Sequence, residues 1–241
     1  MNFEIVLSAD PLAAAQACAQ HMLQTLAGAV KEREKAAIAI SGGTTPKLLF
    51  QYLAEAEFDW SRVHVFWVDE RAVPPGDPQS NYTLAFDNWL SAVSYPAANV
   101  HRIHAEFPVS EAAERYAGEI RTHFHLEPGE FPVFDIIQQG MGGDVHTASL
   151  FPGEPLILDR GGIAAAVYVE KLKAARITLL PGVLERARQT MMLVTGADKA
   201  AALKAVWSGP ESILDSPAQL VRRHQGQVQW FLDEAAAAGI R

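Results

Sequence analysis

Residues 36–57, AAIAISGGTTPKLLFQYLAEAE, join a short apolar segment to a helical pattern through a glycine turn. The segment AAIAI at 36–40 is typical of a strand buried on both faces, because it has no polar residue in alternation. After Ser41-Gly42-Gly43, apolar residues in PKLLFQYLAEAE return at helical spacing. A buried strand that leads directly into a helix predicts one unit of an α/β fold.

The same alternation extends in both directions along the chain. FEIVL at 3–7 predicts a strand, and Asp10 with Pro11 predicts the start of a helix that runs into KEREK at 31–35. Further predicted strands lie at 62–71, 99–104, 133–140, 164–171, 176–180, 190–196 and 228–233, with helical stretches at 110–124 and 197–207. We therefore predict an α/β fold with a Rossmann-like, mainly parallel sheet flanked by helices, in one domain over 1–241.

Composition limits the classes of partner. The 241 residues are 49% hydrophobic and 20% charged, which is ordinary for a globule with a core. A net charge of -8 argues against nucleic acid, which needs clustered Lys and Arg. The single cysteine, Cys18, favours a reducing compartment, and neither an export signal nor an apolar membrane span is apparent. We expect a cytoplasmic protein with no membrane partner.

The glycine turn after residue 40 is a candidate phosphate site. Gly42 and Gly43 allow close approach of an anion, while free N–H groups and the helix dipole would attract it. Thr44 and Thr45 are candidate N-caps, and Pro46 is the candidate first helical residue. The turn matches neither a Walker loop nor G-x-G-x-x-G, so an ordinary strand-to-helix turn stays open as the alternative.

Charged residues follow other predicted strands. Asp69, Glu70 and Arg71 end one of them, where open α/β sheets place their ligand crevices, although a solvated charge triplet is the alternative. Arg176 begins another strand, and Lys199 lies in the first turn of a predicted helix, where a bound anion would compensate the helix dipole. We expect these cations to meet an anionic ligand locally.

The stretch FDIIQQGMGGDVHTASLFP at 134–152 places Asp144 and His146 beside a glycine turn. A histidine has an ordinary pKa near 6.5, so its neutral form can accept a proton from water, and Asp144 is placed to orient the ring. A hydrogen-bonded turn histidine is the alternative. The pairs His101 with His104 and His123 with His125 lack further ligands at zinc-site spacing, and no metal site is predicted.

Taken together, these stretches resemble the 6-phosphogluconolactonases, part of a larger group that includes glucosamine-6-phosphate deaminase. The resemblance rests on ISGGTTP, VDERAVP followed by SNY, GMGGDVHTASLFPG, RITLLP and GADKAAAL, in this order, with HTASLFP the most specific. It implies a sugar-phosphate crevice over the strand ends and hydrolysis of 6-phosphoglucono-1,5-lactone to 6-phosphogluconate in the oxidative pentose phosphate pathway. No metal or organic cofactor is expected, and the protein would act as a monomer or weak homo-oligomer.

The resemblance also implies residue roles. His146 would be the catalytic base that activates water, with Asp144 beside it and Arg71 binding the substrate. Gly42, Gly43 and Thr44, with Asp69, Arg176 and Lys199, would bind the substrate and its 6-phosphate. Backbone N–H groups of the 140–144 turn would be candidates for stabilising the oxyanion.

This chain departs from the family pattern at two places. The family usually has Asp-Gly-His where this chain has Asp144-Val145-His146, and a valine at positive φ would strain the turn. Gln138 and Gln139 end a strand that is usually apolar, which bears on how dry the floor of the site is.

Two rival functions stay open at this point. An amino-sugar-phosphate deaminase or isomerase would have a glutamate five residues after the histidine, where this chain has Phe151. A non-catalytic sugar-phosphate sensor is favoured by Val145 but disfavoured by the lack of a strongly basic patch. A serine hydrolase is disfavoured because the chain has no G-x-S-x-G.

Overall fold

The computed structural model describes residues 3–240 and has a parallel sheet at its centre. The strands are β1 (Phe3–Ser8), β2 (Ala36–Ile40), β3 (Val63–Trp67), β4 (Asp69–Arg71), β5 (Val100–His101), β6 (Ile136–Gln139), β7 (Ala164–Val169), β8 (Ala174–Leu179), β9 (Gln189–Val194) and β10 (Gln227–Asp233). Seven of them form the parallel sheet in the order β1-β10-β9-β6-β2-β3-β5. The predicted Rossmann-like, mainly parallel sheet is confirmed.

Helices cover the sheet. They are α1 (Pro11–Arg33), α2 (Thr44–Glu55), α3 (Asn81–Ala85), α4 (Val109–Phe124), α5 (Pro181–Leu184), α6 (Ala200–Ser208) and α7 (Glu234–Ala237). All five residues of β2 are buried, as its apolar sequence predicts, and they share one core with apolar side chains of α1, α2 and α4. Among residues 3–240, no helix has the length and apolar character that crossing a membrane requires.

The start of α1 illustrates how local sequence sets an element boundary. The Asp10 carboxylate accepts a hydrogen bond from the Ala13 N–H at 2.8 Å, and Pro11 occupies the first turn, where its missing N–H is harmless. The helix ends at Arg33, and the following residue, Glu34, is its C-cap in a left-handed conformation with φ +64°. The predicted cap and helix are confirmed.

The prediction of one continuous strand over 62–71 is wrong, because the chain changes sheets at Val68. The Val68 N–H donates to the Ile40 carbonyl of β2 at 2.8 Å, whereas its own carbonyl accepts from the Leu179 N–H of β8 at 2.8 Å. Beyond this point β4 joins a second, antiparallel sheet in the order β4-β8-β7. The predicted strand over 99–104 is also shorter, since only Val100–His101 pair with β3.

Candidate active site

A cavity of about 230 Å³ lies over the carboxyl ends of the central strands. Its wall comes from the turns after β2, β6 and β9 together with the second sheet. The predicted site residues that line it are Gly42, Gly43, Thr44, Asp69, Arg71, His146, Arg176 and Lys199. Asp144 is the predicted site residue that does not line the cavity. Its carboxylate hydrogen-bonds to the Nδ1 of His146. The fold thus brings residues from five separate stretches into one site.

The glycine turn forms one side of the cavity. Gly43 has φ +121°, a backbone conformation that residues with a side chain rarely adopt. A Cβ on Gly42 would overlap the Asn81 side chain. The first N–H groups of α2 have no carbonyl partners within the helix, so this helix start can receive an anion. The predicted threonine caps are wrong, because Gly43 is the N-cap and Thr45 instead hydrogen-bonds Thr195 at 2.8 Å.

Pro46 is correspondingly the third residue of α2 rather than the first. The two threonines are the first residues of the helix because Gly43, and not a threonine, is the N-cap. The bond from Thr45 to Thr195 joins this helix start to the end of β9, so the two strand ends that bound the cavity are linked.

Two guanidinium groups lie opposite each other in the second sheet. Arg71 of β4 and Arg176 of β8 are direct partners in the antiparallel register. Within the described residues, the Nε atoms of both are buried and have no hydrogen-bond partner. Burial lowers the pKa of Arg176, although the group stays charged at neutral pH. A buried donor without a partner is costly, so this pair is suited to an anionic ligand.

Asp69 and Glu70 have different roles although they are adjacent. The Asp69 carboxylate is buried at the cavity, accepts from the Ser149 hydroxyl at 2.6 Å and lies 3.9 Å from Arg176. Glu70 accepts from the N–H groups of Asn81 and Tyr82 at 2.7 and 2.8 Å, so it anchors α3. Glu70 is therefore structural, and the charge triplet is not a solvated loop start.

His146 carries the only imidazole among the residues that line this cavity in the described part of the chain. Its Nδ1 lies 2.5 Å from the Asp144 carboxylate, which must accept, so the proton is on Nδ1 and the free lone pair is on Nε2. Burial lowers the pKa of His146 to about 4; the Asp69 carboxylate opposes this shift, and the nearby cations, Arg176 first, add to it. At neutral pH the ring is uncharged and able to accept a proton.

The turn that presents His146 is held on several sides. The Gly142 N–H donates to the His146 carbonyl at 2.9 Å, and a Cβ on Gly142 would overlap the imidazole. Val145 has φ +61°, a left-handed conformation that a glycine at this position would take without strain. Its N–H donates to the Gly142 carbonyl at 3.0 Å, and its own carbonyl accepts from Ala218 at 2.9 Å. The departure from the family pattern has therefore not removed the turn.

The two glutamines that precede this turn do not line the cavity. Gln138 and Gln139 are buried, and their side-chain oxygens accept hydrogen bonds from the Ser41 N–H at 3.1 Å and from the Thr147 hydroxyl at 3.0 Å. They connect the end of β6 to the turns on either side. These side chains thus help to position the glycine turn and the His146 turn.

Sequence reasoning missed Lys171, Phe151 and Asp233. The Phe151 ring stacks on the His146 imidazole with centroids 4.2 Å apart. The Lys171 ammonium lies 4.6 Å from the centroid of the Phe151 ring and also contacts the Asp144 carboxylate. The Asp233 carboxylate at the end of β10 accepts from the Gly196 N–H at 3.0 Å and so holds the turn that carries Lys199. Only Phe151 carried a signal, because it belongs to HTASLFP.

A cationic cavity over the carboxyl ends of a parallel sheet, with a neutral imidazole in its wall, defines an α/β protein that binds a small anionic molecule. The family model described as "Glucosamine-6-phosphate isomerases/6-phosphogluconolactonase" matches residues 9–230, and the chain belongs to this family. The predicted resemblance is confirmed.

Curated relatives and solved structures agree with this membership. The chain is 38% identical over 214 residues to the 6-phosphogluconolactonase of Synechocystis sp., covering 88% of each chain. It is 39% identical over 231 residues to the 6-phosphogluconolactonase of Homo sapiens, covering 93% of this chain and 87% of the human one. The crystal structure of devB protein superposes with a TM-score of 0.86 at 34% identity, covering 98% of this chain and 100% of that chain.

Proposed function

We propose that this protein hydrolyses 6-phosphoglucono-1,5-lactone to 6-phosphogluconate in the oxidative pentose phosphate pathway. The predicted lactone-hydrolysing function is confirmed at the level of its relatives, since both curated relatives above are 6-phosphogluconolactonases. In this chain, the observation that carries the proposal is the neutral His146, paired with Asp144, in a cavity that also contains Arg71, Arg176 and Lys199. A base and a set of cations in one cavity suit a substrate that is both an ester and a phosphate.

The phosphate is anchored at one end of the cavity in this proposal. The N–H groups after Gly42 and Gly43 donate to it, and Arg176 and Lys199 supply charge-assisted contacts. Arg71 and Asp69 contact the substrate between the anchor and the reacting carbon. Binding the phosphate at one end places the lactone carbonyl near His146 without a further loss of freedom.

Hydrolysis then follows from the state of His146. Its Nε2 accepts a proton from water while the water oxygen bonds to the lactone carbonyl carbon, giving a tetrahedral oxyanion. Collapse of this intermediate breaks the bond to the ring oxygen, which takes the proton from His146 and becomes the hydroxyl of the open-chain acid. Asp144 stabilises the imidazolium formed between the two steps, and Arg71 and N–H groups of the 140–144 turn stabilise the oxyanion.

Substrate binding also strengthens the base. The charges of Arg176, Lys199 and Arg71 lower the pKa of His146 in the free protein. A bound phosphate neutralises part of that charge, so the pKa of the imidazole rises toward its ordinary value when the substrate is present. The proton affinity of His146 is therefore greatest when there is a lactone to attack.

The rival deaminase has less support from the geometry. The place where that branch has a glutamate is occupied by Phe151, whose ring stacks on His146 and leaves no carboxylate there.

We also propose that 1–241 form a single sugar-phosphate hydrolase domain that acts in the cytoplasm as a monomer or weak homo-oligomer, with no organic cofactor. The family match over 9–230 and the continuous central sheet support the single domain.

The test is a lactone assay. The lactone is made in situ by oxidising glucose 6-phosphate, and acid release is followed with a pH indicator with and without the protein. We expect hydrolysis well above the spontaneous rate and no release of ammonia from glucosamine 6-phosphate. A rate equal to the spontaneous one, with 6-phosphogluconate still bound, would instead identify a sugar-phosphate sensor.

A further inference from the structure

Three histidines from different elements meet beside the edge strand of the central sheet. They are His64 of β3, His101 of β5 and His123 near the end of α4, and one ring nitrogen of each lies within 4.8 Å of those of the other two. The His64 Nδ1 and the His101 Nε2 are 2.9 Å apart. None of the three lines the cavity described above. The cluster is therefore separate from the proposed lactonase site.

The central ring of this cluster is already oriented. The Nδ1 of His101 lies 2.6 Å from the Glu119 carboxylate, so Nδ1 carries the proton and Nε2 turns its lone pair toward His64. On the other side, the Phe66 ring stacks on His101 at a centroid distance of 4.2 Å and an angle of 7°. A histidine whose second nitrogen is bound to a carboxylate is the usual arrangement around a metal ligand.

The charge state also suits a cation ligand set. His64 and His123 are half-buried, and each offers one ring nitrogen to the point that the oriented His101 faces. The Lys35 charge opposes a bound cation, but this side chain is exposed to solvent and the Glu119 carboxylate beside His101 offsets it. Three imidazoles and one carboxylate therefore surround one point.

We propose that His64, His101 and His123 form a binding site for a divalent transition metal ion, Zn²⁺ or an ion of similar size. Zinc–nitrogen bonds of about 2.0–2.1 Å in a tetrahedral site place ligand nitrogens roughly 3.3 Å apart. The His64 and His101 nitrogens need to separate by a few tenths of an ångström from 2.9 Å, and the His123 ring must turn inward. Water completes the coordination.

Metal binding at this place requires no net loss of a proton. In the free protein His64 donates from Nδ1 to the His101 Nε2, and on binding His64 carries its proton on Nε2 instead. The metal takes the position of the shared proton and links β3, β5 and α4. Because β5 has only two residues and lies at the sheet edge, we expect the ion to stabilise this edge rather than take part in lactone hydrolysis.

The sequence predicted no metal site because each pair of neighbouring histidines lacked further ligands nearby in the chain. The fold supplies them from a distance: His64 lies 37 residues before His101 and faces it directly, and Glu119 lies 18 residues after His101. Only the sheet register and the packing of α4 bring these groups together.

The experiment titrates Zn²⁺ and Co²⁺ into chelator-treated full-length protein, measuring stoichiometry and affinity by calorimetry and the visible absorption of bound Co²⁺. We expect about one ion per chain. His64→Ala and His123→Gln should each abolish this binding, and Glu119→Gln should weaken it roughly 10- to 100-fold. Lactonase activity, measured on the same samples, reports folding of each variant independently of the metal.

The matched control is His104→Ala. His104 is also paired with a carboxylate, Glu106 at 3.0 Å, but has no neighbouring histidines in the cluster, so this variant should bind like the unchanged protein. The proposal is overturned if the unchanged protein binds no ion at micromolar concentration, or if the folded His123→Gln and Glu119→Gln variants bind as tightly as it does. Should His64→Ala fail to fold, those two variants still decide the matter.

Discussion

Val145 has a left-handed backbone conformation that is unfavourable for a β-branched residue. At φ +61° a residue with a Cβ is less stable by roughly 1–2 kcal/mol, and branching at Cβ adds to this. The turn persists because the backbone bonds to Gly142 and Ala218 hold it and the valine side chain packs against an apolar cluster. The strain therefore lies next to His146 and is offset by tertiary contacts.

Replacing Val145 with glycine should leave kcat unchanged or raise it. Relief of the left-handed strain is offset by glycine's greater freedom in the unfolded chain and by lost packing, so the free energy of unfolding should change by less than about 1 kcal/mol. The lactone assay and urea unfolding measure the two quantities. Val145→Ala separates the causes, because it keeps a Cβ in the strained conformation but loses the packing. A tenfold fall in kcat for the glycine variant would show that the valine itself positions His146.

His146→Ala should lower kcat by about 10²- to 10⁴-fold and leave the Kd of 6-phosphogluconate nearly unchanged. The reason is that a general base acts at the reacting carbon, whereas the phosphate anchor is formed by other residues. Steady-state kinetics and calorimetry with the product provide both values. Asp144→Asn is a useful companion, since it keeps the ring and disturbs its tautomer. Normal kcat in the alanine variant would remove His146 from the mechanism.

At the scale of elements, the proposed phosphate anchor is divided between the hairpin strand β8 and the turn before α6. Arg176→Ala and Lys199→Ala should each raise KM by about 10- to 100-fold with little change in kcat, because contacts to phosphate exist in both the ground and the transition state. Kinetics on the phosphorylated lactone and on a lactone without phosphate check this. Lys204→Ala, an exposed lysine on α6, is the control. Equal losses on both lactones would mean that the two residues support the fold instead.

Some elements could be predicted from sequence alone and others could not. The unit over 36–57 was predictable because an unbroken apolar strand, two glycines and helical spacing all agree. The second sheet was not, because residues 65–68 are an unbroken apolar run and the hydrogen bonds that turn Val68 from one sheet to the other come from distant strands. The candidate site residues were predicted from glycine turns and charged side chains at strand ends, and the family resemblance added their expected roles, whereas Lys171 and Asp233 act through contacts that no local pattern carries.

At the scale of the whole molecule, several histidines make stability depend on pH. The pKa values of His64, His123 and His146 are about 4, 3 and 4 in the folded protein, below the unfolded value near 6.5, with burial as the main cause. The unfolded chain therefore binds more protons between pH 6.5 and about 4, so stability is greatest above pH 6.5 and falls as the pH drops.

Urea midpoints measured at pH 7, 6 and 5 in the presence of a chelator should decrease steadily. His123→Gln removes one of the three groups and should make this slope shallower, whereas His104→Ala, at an exposed surface site, should not. These pH values lie above the range where most carboxylates titrate, so the slope reports the histidines. A flat or rising midpoint toward pH 5 would contradict the expected shifts.

The position of β10 has a consequence for the order in which the protein matures during synthesis. β1 lies at the sheet edge with β10 as its neighbour, and β10 also supplies Asp233, which holds the turn of Lys199. On the ribosome, β2, β3 and β6 can associate as they emerge, but the first strand made must wait for residues 227–233 before it can pair. The proposed phosphate anchor would be completed at the same moment. On this proposal a nascent chain gains its ligand affinity in one late step, and premature termination before β10 would yield a product unable to bind substrate.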